Sequence, residues 1–569
     1  MSHCRLTALR SSRAAHPSIY PTSPTFKPTR PFISFPKPTI SVPRNSPTMS
    51  RTYESALQHL DSLTSNKAIT SRFTSNPPAA PSSQHPPISL SNENAIPEML
   101  AYAEIAHLTQ PALAQIHYIH VAGTKGKGSI CAYLTSILTS PPAAPVAGKV
   151  GTYTSPHLRS VRERIQINGR PISRELFTRY FFEVWDFFSA HTRGESGRLG
   201  TKGGIGVSVS EEDVSGPVGK PFYFRFLTIL AFHAFLREGV KTAVIECGIG
   251  AEYDSTNILP AQAVTAGVVA QLGLDHVAML GETVPEIAWN KAGVMREGKK
   301  CFTRKLGDGV GEATMEVLRM RAREKKAVLV EVEDREVEEW GGVDRDGMGS
   351  LEGDFQKYNQ ALAVLAAGEH LRVLGMKPDA KVGEDGLAVW GELFSDGLRQ
   401  AKLGGRCETM VRRGIAWFVD GAHTAESLEE VAKWFAAKRK SLPDNAKVVL
   451  LFNQQERDVV KLLGGLLEGI KRVLNMSEIF DLAIFTRNDT QRKAENEPER
   501  DLSVQQAAAD AMQKLCPKTK SVVVDNVQEA FDKIDEIEGD GAEIAVLATG
   551  SLHLVGALLT ALGPDEELR

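Results

Sequence analysis

Residues 116–138 read IHYIHVAGTKGKGSICAYLTSIL. The first seven, IHYIHVA, form a short apolar run of the kind that predicts a buried strand, and the last ten, SICAYLTSIL, carry a helical apolar pattern. Between them lie Gly123-Thr124-Lys125-Gly126-Lys127-Gly128-Ser129. Strand, glycine loop and helix is the order of a phosphate site: glycines let backbone N–H groups approach phosphate oxygens, the helix N-terminus favours anions, and Lys127 supplies a point charge. ATP held by Gly126, Lys127, Gly128 and Ser129 is the expectation. The general pattern GxxxxGK[ST] is met only in part, because Val121 stands at its first glycine and Gly128 follows the lysine. A glycine-rich connecting turn is the plainer alternative.

Outward from this loop, apolar runs alternate with helix-period segments, as a parallel sheet requires. Strands are predicted at 116–122, 242–247, 263–272 and 327–332, with helices at 129–138, 226–239 and 356–371. A second series follows at 415–420, 447–452, 480–486, 521–525 and 544–549, each strand trailed by a helical pattern such as RDVVKLLGGLLEGI or SLHLVGALLTAL. The predicted fold class is α/β: a P-loop ATPase-like domain with a doubly wound parallel sheet over residues 49–400, and a second, smaller Rossmann-like domain over 401–569, joined near 395–405. Residues 189–220, rich in Gly, Ser and Val, read as a surface insertion without chemistry.

With 569 residues, 42% of them hydrophobic and 24% charged, the chain can bury more than one core. A net charge of -3 gives no general attraction to nucleic acid or an anionic membrane. No apolar run reaches the length needed to span a bilayer. The six cysteines, Cys4, Cys131, Cys247, Cys301, Cys407 and Cys516, contain no CxxC pair, which argues against a zinc knuckle or a disulfide framework and for a reducing compartment. Met1 through Tyr53 has no Asp or Glu, yet carries Arg5, Arg10, Arg13, Lys27, Arg30, Lys37, Arg44 and Arg51. An Arg- and Ser-rich, acid-free start matches a mitochondrial transit segment, read here as 1–48; a disordered basic tail is the alternative. Met49 offers a second start just before an amphipathic helical pattern, so one product is expected in mitochondria and one in the cytoplasm.

Glu246 ends a strand whose apolar run would bury it, at the carboxyl edge where open α/β sheets bind ligands. That position makes it a candidate Mg2+ ligand, against the alternative of a buried carboxylate satisfied by a helix N-terminus. His276 also follows a strand, but hard cations prefer oxygen, which ranks it below Glu246.

GTKGKGS resembles the nucleotide loop of folylpolyglutamate synthases and, more distantly, of muramyl-peptide ligases. Other segments carry the same resemblance in the family's order, from about residue 50 to the C-terminus: Thr154-Ser155-Pro156-His157-Leu158 with Arg162-Glu163-Arg164-Ile165, Glu246-Cys247-Gly248-Ile249-Gly250 with Asp254-Ser255-Thr256-Asn257, Gly273-Leu274-Asp275-His276 with Lys291-Ala292-Gly293, Gln356 with Asn359, and Asp420-Gly421-Ala422-His423. The family usually reads Trp-Pro-Gly-Arg where this chain has Leu403-Gly404-Gly405-Arg406. The resemblance implies a magnesium site of Ser155, Glu246 and His276, nucleotide contacts from Arg406 and Asp420 across the domain cleft, and catalytic roles for Lys127, His423 and Lys291. Lys291 aligns with a lysine that is carbamylated in bacterial relatives, which leaves that modification, and a monovalent cation beside Mg2+, open here.

The activity implied is an ATP-dependent carboxylate-amine ligase that adds L-glutamate to the γ-carboxyl of a reduced folate through an acyl phosphate, acting as a monomer on small-molecule substrates. The general base is not identified, with Asp275 the one candidate. Dihydrofolate synthase is the near alternative, a muramyl-peptide ligase a more distant one, and a nucleotide-binding protein without ligase chemistry the alternative from another class.

Overall fold

The computed structural model describes residues 51–63, 94–199, 216–343, 351–377, 386–455, 457–494, 496–537 and 543–563. The leader read at 1–48 lies outside them. Ser50–Arg569 forms one compact unit.

Its first sheet has eight strands: β1 (His117–Ala122), β2 (Val150–Tyr153), β3 (Ile165–Ile167), β4 (Arg170–Pro171), β5 (Thr242–Glu246), β6 (Val264–Val269), β7 (Lys300–Arg304) and β8 (Val328–Val332). They lie in the order β4-β3-β2-β5-β1-β6-β7-β8. The pairs from β2 to β8 are parallel, while β3 and β4 add an antiparallel edge. The second sheet holds β9 (Glu408–Arg412), β10 (Ile415–Val419), β11 (Lys447–Phe452), β12 (Leu482–Phe485), β13 (Lys520–Val523) and β14 (Ile544–Thr549), ordered β13-β12-β11-β14-β10-β9. All its pairs but β9–β10 are parallel.

Parallel strands need both faces covered, which is why β1, β5, β6, β11 and β14 are continuous apolar runs. One face of the first sheet carries α1 (Tyr53–Ser62), α2 (Ala95–Ile105), α4 (Arg174–Leu199) and α5 (Tyr223–Arg237), whose Phe177, Phe181, Trp185 and Phe226 pack in an aromatic cluster. The other face carries α3 (Lys127–Thr139) and α8 (Gln356–Val373). α6 (Val284–Lys291) and α7 (Val310–Glu324) close the β6–β7 end. In the second domain α9 (Ala425–Arg439), α10 (Val459–Leu474) and α11 (Ser503–Leu515) lie on one face, α12 (Val527–Asp535) and α13 (Leu552–Ala561) on the other.

Two sequence readings change, and the amphipathic helix expected after Met49 is found. The strand read at 263–272 ends at Val269, because the chain there turns to the glycine loop: Gln271 O accepts the N–H groups of Thr124 at 2.8 Å and Lys125 at 3.1 Å. Of the stretch 189–220, residues 200–215 lie outside the described residues, while 189–199 continue α4 and Ser189 is buried. α1 is part of the core: Thr52 caps it in a capping box, and Ala56 and Leu60 are buried. No helix among the described residues is long and apolar enough to cross a membrane.

Candidate functional site

The C-terminal ends of β1, β5 and β6 lie side by side, and the loop that follows each contributes to one cleft. After β1 the chain turns through Gly123 (φ +148°) and Gly126 (φ +82°) into the N-terminus of α3. A Cβ on Gly123 would strike Ala270, and one on Gly126 would strike Asn359 of α8, so only glycine brings the loop this close to β6 and α8. Lys127 Nζ donates to Gly123 O at 2.8 Å. Ser129 is buried in the first turn of α3, and Gly128 sits across from Leu403.

Glu246 ends β5 and is 3% exposed. Its Oε2 accepts the N–H of Ser155 at 2.9 Å, and its other oxygen takes no hydrogen bond among the described residues. Burial raises its pKa, against the pull of Lys127, the Ser155 N–H, Arg406 and Arg164. Asp254 fixes the turn that follows: its Oδ2 accepts the N–H groups of Gly248 at 3.0 Å and Ile249 at 3.1 Å. Lys291 at the end of α6 is 2% exposed and donates through Nζ to Gly123 O at 2.8 Å, the same carbonyl that Lys127 uses. Burial, and then the neighbouring Lys127, push its pKa down to about 7. His276 adopts φ +50° with its ring edge open to the cleft, and its Nε2 lies 3.7 Å from Asp275 Oδ2. The cleft walls, with Lys127, Lys291 and Arg457, lower its pKa against the pull of Asp275, which favours a neutral imidazole with a free lone pair.

The second domain closes the other side. Arg406 follows Gly405 (φ +67°), and its charge reaches Glu246. Asp420, just beyond β10, uses Oδ2 to accept the Cys407 N–H at 2.7 Å and Oδ1 to accept the Ala422 N–H at 2.8 Å. One oxygen therefore holds the backbone beside Arg406 and the other holds the turn that Asp420 itself begins. His423 donates through Nδ1 to Gly421 O at 3.1 Å, so its Nε2 is left as an acceptor facing the cleft.

Three ion pairs cross between the domains, Lys125–Glu426 at 3.0 Å, Arg457–Asp275 at 3.3 Å and Lys438–Glu352 at 2.5 Å, the last with its carboxylate largely buried. The cleft has a volume of about 1410 Å³ and is lined by every residue named above as a site candidate except Lys291, which lies behind the wall at Gly123. Sequence reasoning gave no role to Asp254, Lys125, Glu426 or Arg457. Asp254 and Lys125 sit inside motifs already singled out; Glu426 and Arg457 carry no local signal, since their partners are remote in sequence. Among the described residues, no group of three or more His, Cys, Asp or Glu side chains is placed to hold a metal by itself.

Residues 405–561 match the family model described as "Dihydrofolate synthetase, C-terminal domain". Over 530 residues the chain is 35% identical to a probable folylpolyglutamate synthase of Schizosaccharomyces pombe, covering 90% of this chain and 94% of that protein. The chain belongs to the folylpolyglutamate synthase family. The same fold is found in the Mycobacterium tuberculosis folylpolyglutamate synthase complexed with ADP and AMPPCP, with a TM-score of 0.60, 22% identity, and coverage of 83% of this chain and 96% of that one. It is found again in the bifunctional folylpolyglutamate synthase/dihydrofolate synthase from Yersinia pestis complexed with AMPPNP and Mn ion, with a TM-score of 0.57, 19% identity, and coverage of 91% and 100%. The cleft between the two α/β domains is thus the candidate active site of a family member.

Proposed function

We propose that this protein joins L-glutamate to the γ-carboxyl of a tetrahydrofolyl-poly-γ-glutamate at the expense of ATP, through an acyl phosphate. The observation that carries the reading is the meeting, in one interdomain cleft of a family member, of a glycine loop on a helix N-terminus, Lys127, and the buried carboxylate of Glu246. Backbone N–H groups of Gly126–Ser129 hold the phosphates, and Lys127 leaves the Gly123 carbonyl to meet the β- and γ-oxygens. The terminal carboxylate of the acceptor attacks the γ-phosphorus and ADP departs. The glutamate amine, having lost a proton, then attacks the acyl carbon; phosphate leaves with one former carboxylate oxygen, and an amide remains. Arg406 faces the phosphates from the second domain, with Asp420 holding the Arg406 turn, and His423 offers Nε2 on the same wall as an acceptor for a proton. The closed walls keep water from the acyl phosphate.

Glu246, Ser155 and His276 would hold Mg2+, which when bound offsets charge on the phosphoryl oxygens. The residues suit a divalent cation that keeps several waters: a buried carboxylate with one oxygen unbonded and a pKa raised by burial, and, lining the same cleft, an imidazole whose pKa is lowered. Lys291 suits carbamylation, because addition to CO2 requires the free amine and its pKa is near 7. One chain carries the whole constellation, in keeping with a monomer.

Acceptor labelled with heavy oxygen in its terminal γ-carboxylate tests the mechanism: inorganic phosphate should gain one labelled oxygen per glutamate added. Label in AMP, or unlabelled phosphate beside glutamylated product, would overturn it. Turnover of dihydropteroate in place of tetrahydrofolate would favour the dihydrofolate synthase reading. For location, residues 1–48 fused to a reporter should enter mitochondria, whereas a chain begun at Met49, one residue before the compact unit, should stay in the cytoplasm. A cytoplasmic reporter from the first fusion would refute the dual address.

A further inference from the structure

The cleft has a second end. The glycine loop and Arg406 occupy one side of Glu246. On the other side the wall runs from Gly248 to Phe224, whose ring fills the space a Cβ on Gly248 would need, and on to Arg225 and Phe222. Arg225 lies in the first turn of α5, lines the cleft and is 9% exposed. Its NH1 donates to Oε2 of Glu98 on α2 at 2.7 Å, and its guanidinium carbon stands 4.6 Å from the centre of the Phe222 ring. The cation is therefore fixed in place while only part of its five-donor fork is engaged.

Each round of the reaction proposed above leaves one more α-carboxylate along the acceptor. With the terminal γ-carboxylate at Lys127 and the nucleotide filling the near end, the preceding part of the acceptor has to run back along the Gly248–Phe224–Arg225 wall. A short acceptor brings uncharged aromatic groups to that wall; a longer one brings α-carboxylates.

We propose that Arg225 reads the tail: it pairs with an α-carboxylate of an oligo-γ-glutamyl acceptor, and so sets the preference for acceptors that already carry several glutamates. This rests on the functional reading above. A guanidinium held by an ion pair and a ring has already lost its rotamer freedom, so it meets a carboxylate at low entropic cost and can do so through two parallel bonds.

The test compares kcat/KM for monoglutamyl and triglutamyl tetrahydrofolate in the full-length protein. In Arg225→Gln the ratio of triglutamyl to monoglutamyl efficiency should fall about tenfold, the scale of one hydrogen-bonded charge, and Arg225→Lys should recover part of it. Products made by Arg225→Gln should stop at shorter tails. Glu98→Gln separates reading from bracing, because it removes the charge of the α2–α5 pair while its amide oxygen can still accept from the Arg225 NH1 and hold the cation in the cleft; it should keep the wild-type ratio. An equal loss on both acceptors in Arg225→Gln, or a Glu98→Gln ratio that falls as far as that of Arg225→Gln, would make the pair a brace and overturn the proposal. Wild-type protein that glutamylates neither acceptor would overturn the functional reading itself.

Discussion

Glu246 and Asp420 stand at matching places in the two domains. Each lies at the carboxyl end of a buried parallel strand, each is almost fully covered, and each has its pKa raised by burial. They differ in what satisfies them. Asp420 spends both oxygens on backbone N–H groups, and the Cys407 it holds has a left-handed backbone at φ +41°. Glu246 accepts one N–H and otherwise faces cations supplied by loops and by the opposite domain. A buried carboxylate paired with backbone donors fixes a turn, whereas one left short of donors awaits a cation. The second domain thus uses its carboxylate to present Arg406, and the first keeps its carboxylate for the ligand.

The largest expected difference between them is in turnover. Glu246→Gln, like Lys127→Ala, should lower glutamate incorporation by about 10²-fold or more, the scale for groups that offset charge at a reacting phosphoryl or acyl centre. Its thermal stability should hold or rise, because an amide keeps the shape, still accepts the Ser155 N–H, and avoids the cost of a buried charge. A Glu246→Gln protein that turns over like wild type would erase the contrast from the catalytic side.

Asp420→Asn should show the converse pattern. The amide can accept from only one of Cys407 and Ala422, so the variant should lose about 1–3 kcal/mol in chemical denaturation. Its KM for ATP should rise through misplacement of Arg406. Unchanged stability with lost activity would make Asp420 a ligand group like Glu246.

Lys291 is a third buried charge, and pH resolves it. Its pKa is held at about 7, below the roughly 10.4 of a lysine in an unfolded chain. Between those values the unfolded chain keeps the proton that the folded chain has released, so stability rises with pH across that window. Below pH 7 both states are protonated and the full cost of burying the ammonium is present. This group adds a slope of up to about 1.4 kcal/mol per pH unit. Lys291→Met should therefore be more stable at neutral pH and show a flatter rise between pH 7.5 and 9.5, measured by denaturation in bicarbonate-free buffer. Equal slopes in the two proteins would mean that the ammonium is solvated in the folded chain.

What sequence alone disclosed follows from how local each feature is. β1, β5, β11 and β14 were legible because strands buried on both faces must be apolar throughout. β2 (VGTY), β7 (KCFTR) and β9 (ETMVR) were not, since short strands with Gly, Thr and charged residues carry no such run. The glycine loop announced itself because every atom it needs lies within seven residues. Lys291 carries no local signal of its burial in the sequence around it. Its burial depends on Gly293, where a Cβ would strike the backbone of Ala251–Glu252, so the helix end can sink against the loop after β5. The role of Asp420 as a clamp depends on a turn thirteen residues earlier, and the two interdomain pairs made by Lys125 and Arg457 join positions 301 and 182 residues apart.

Those pairs give the smallest expected effect, and they bear on how the two carboxylates come to share one cleft. Lys125 extends from the glycine loop, and Glu426 from the first turn of α9, three residues beyond His423, so their contact fixes the distance between the phosphate loop and the DGAH turn. The Glu426 side chain is 68% exposed, which places the pair among surface ion pairs that contribute about 0–1 kcal/mol and weaken with salt. Glu426→Gln should therefore change global stability by less than about 1 kcal/mol. Its effect should be on domain closure instead: a modest rise in KM for ATP that wild type reproduces as ionic strength is raised, with a double-mutant cycle against Lys125→Gln assigning that rise to the pair. A coupling energy near zero at low salt would show that closure does not depend on this exposed pair but on the more buried contacts between the domains, among them Lys438 with Glu352 and Leu158 against Gly405 and Val555.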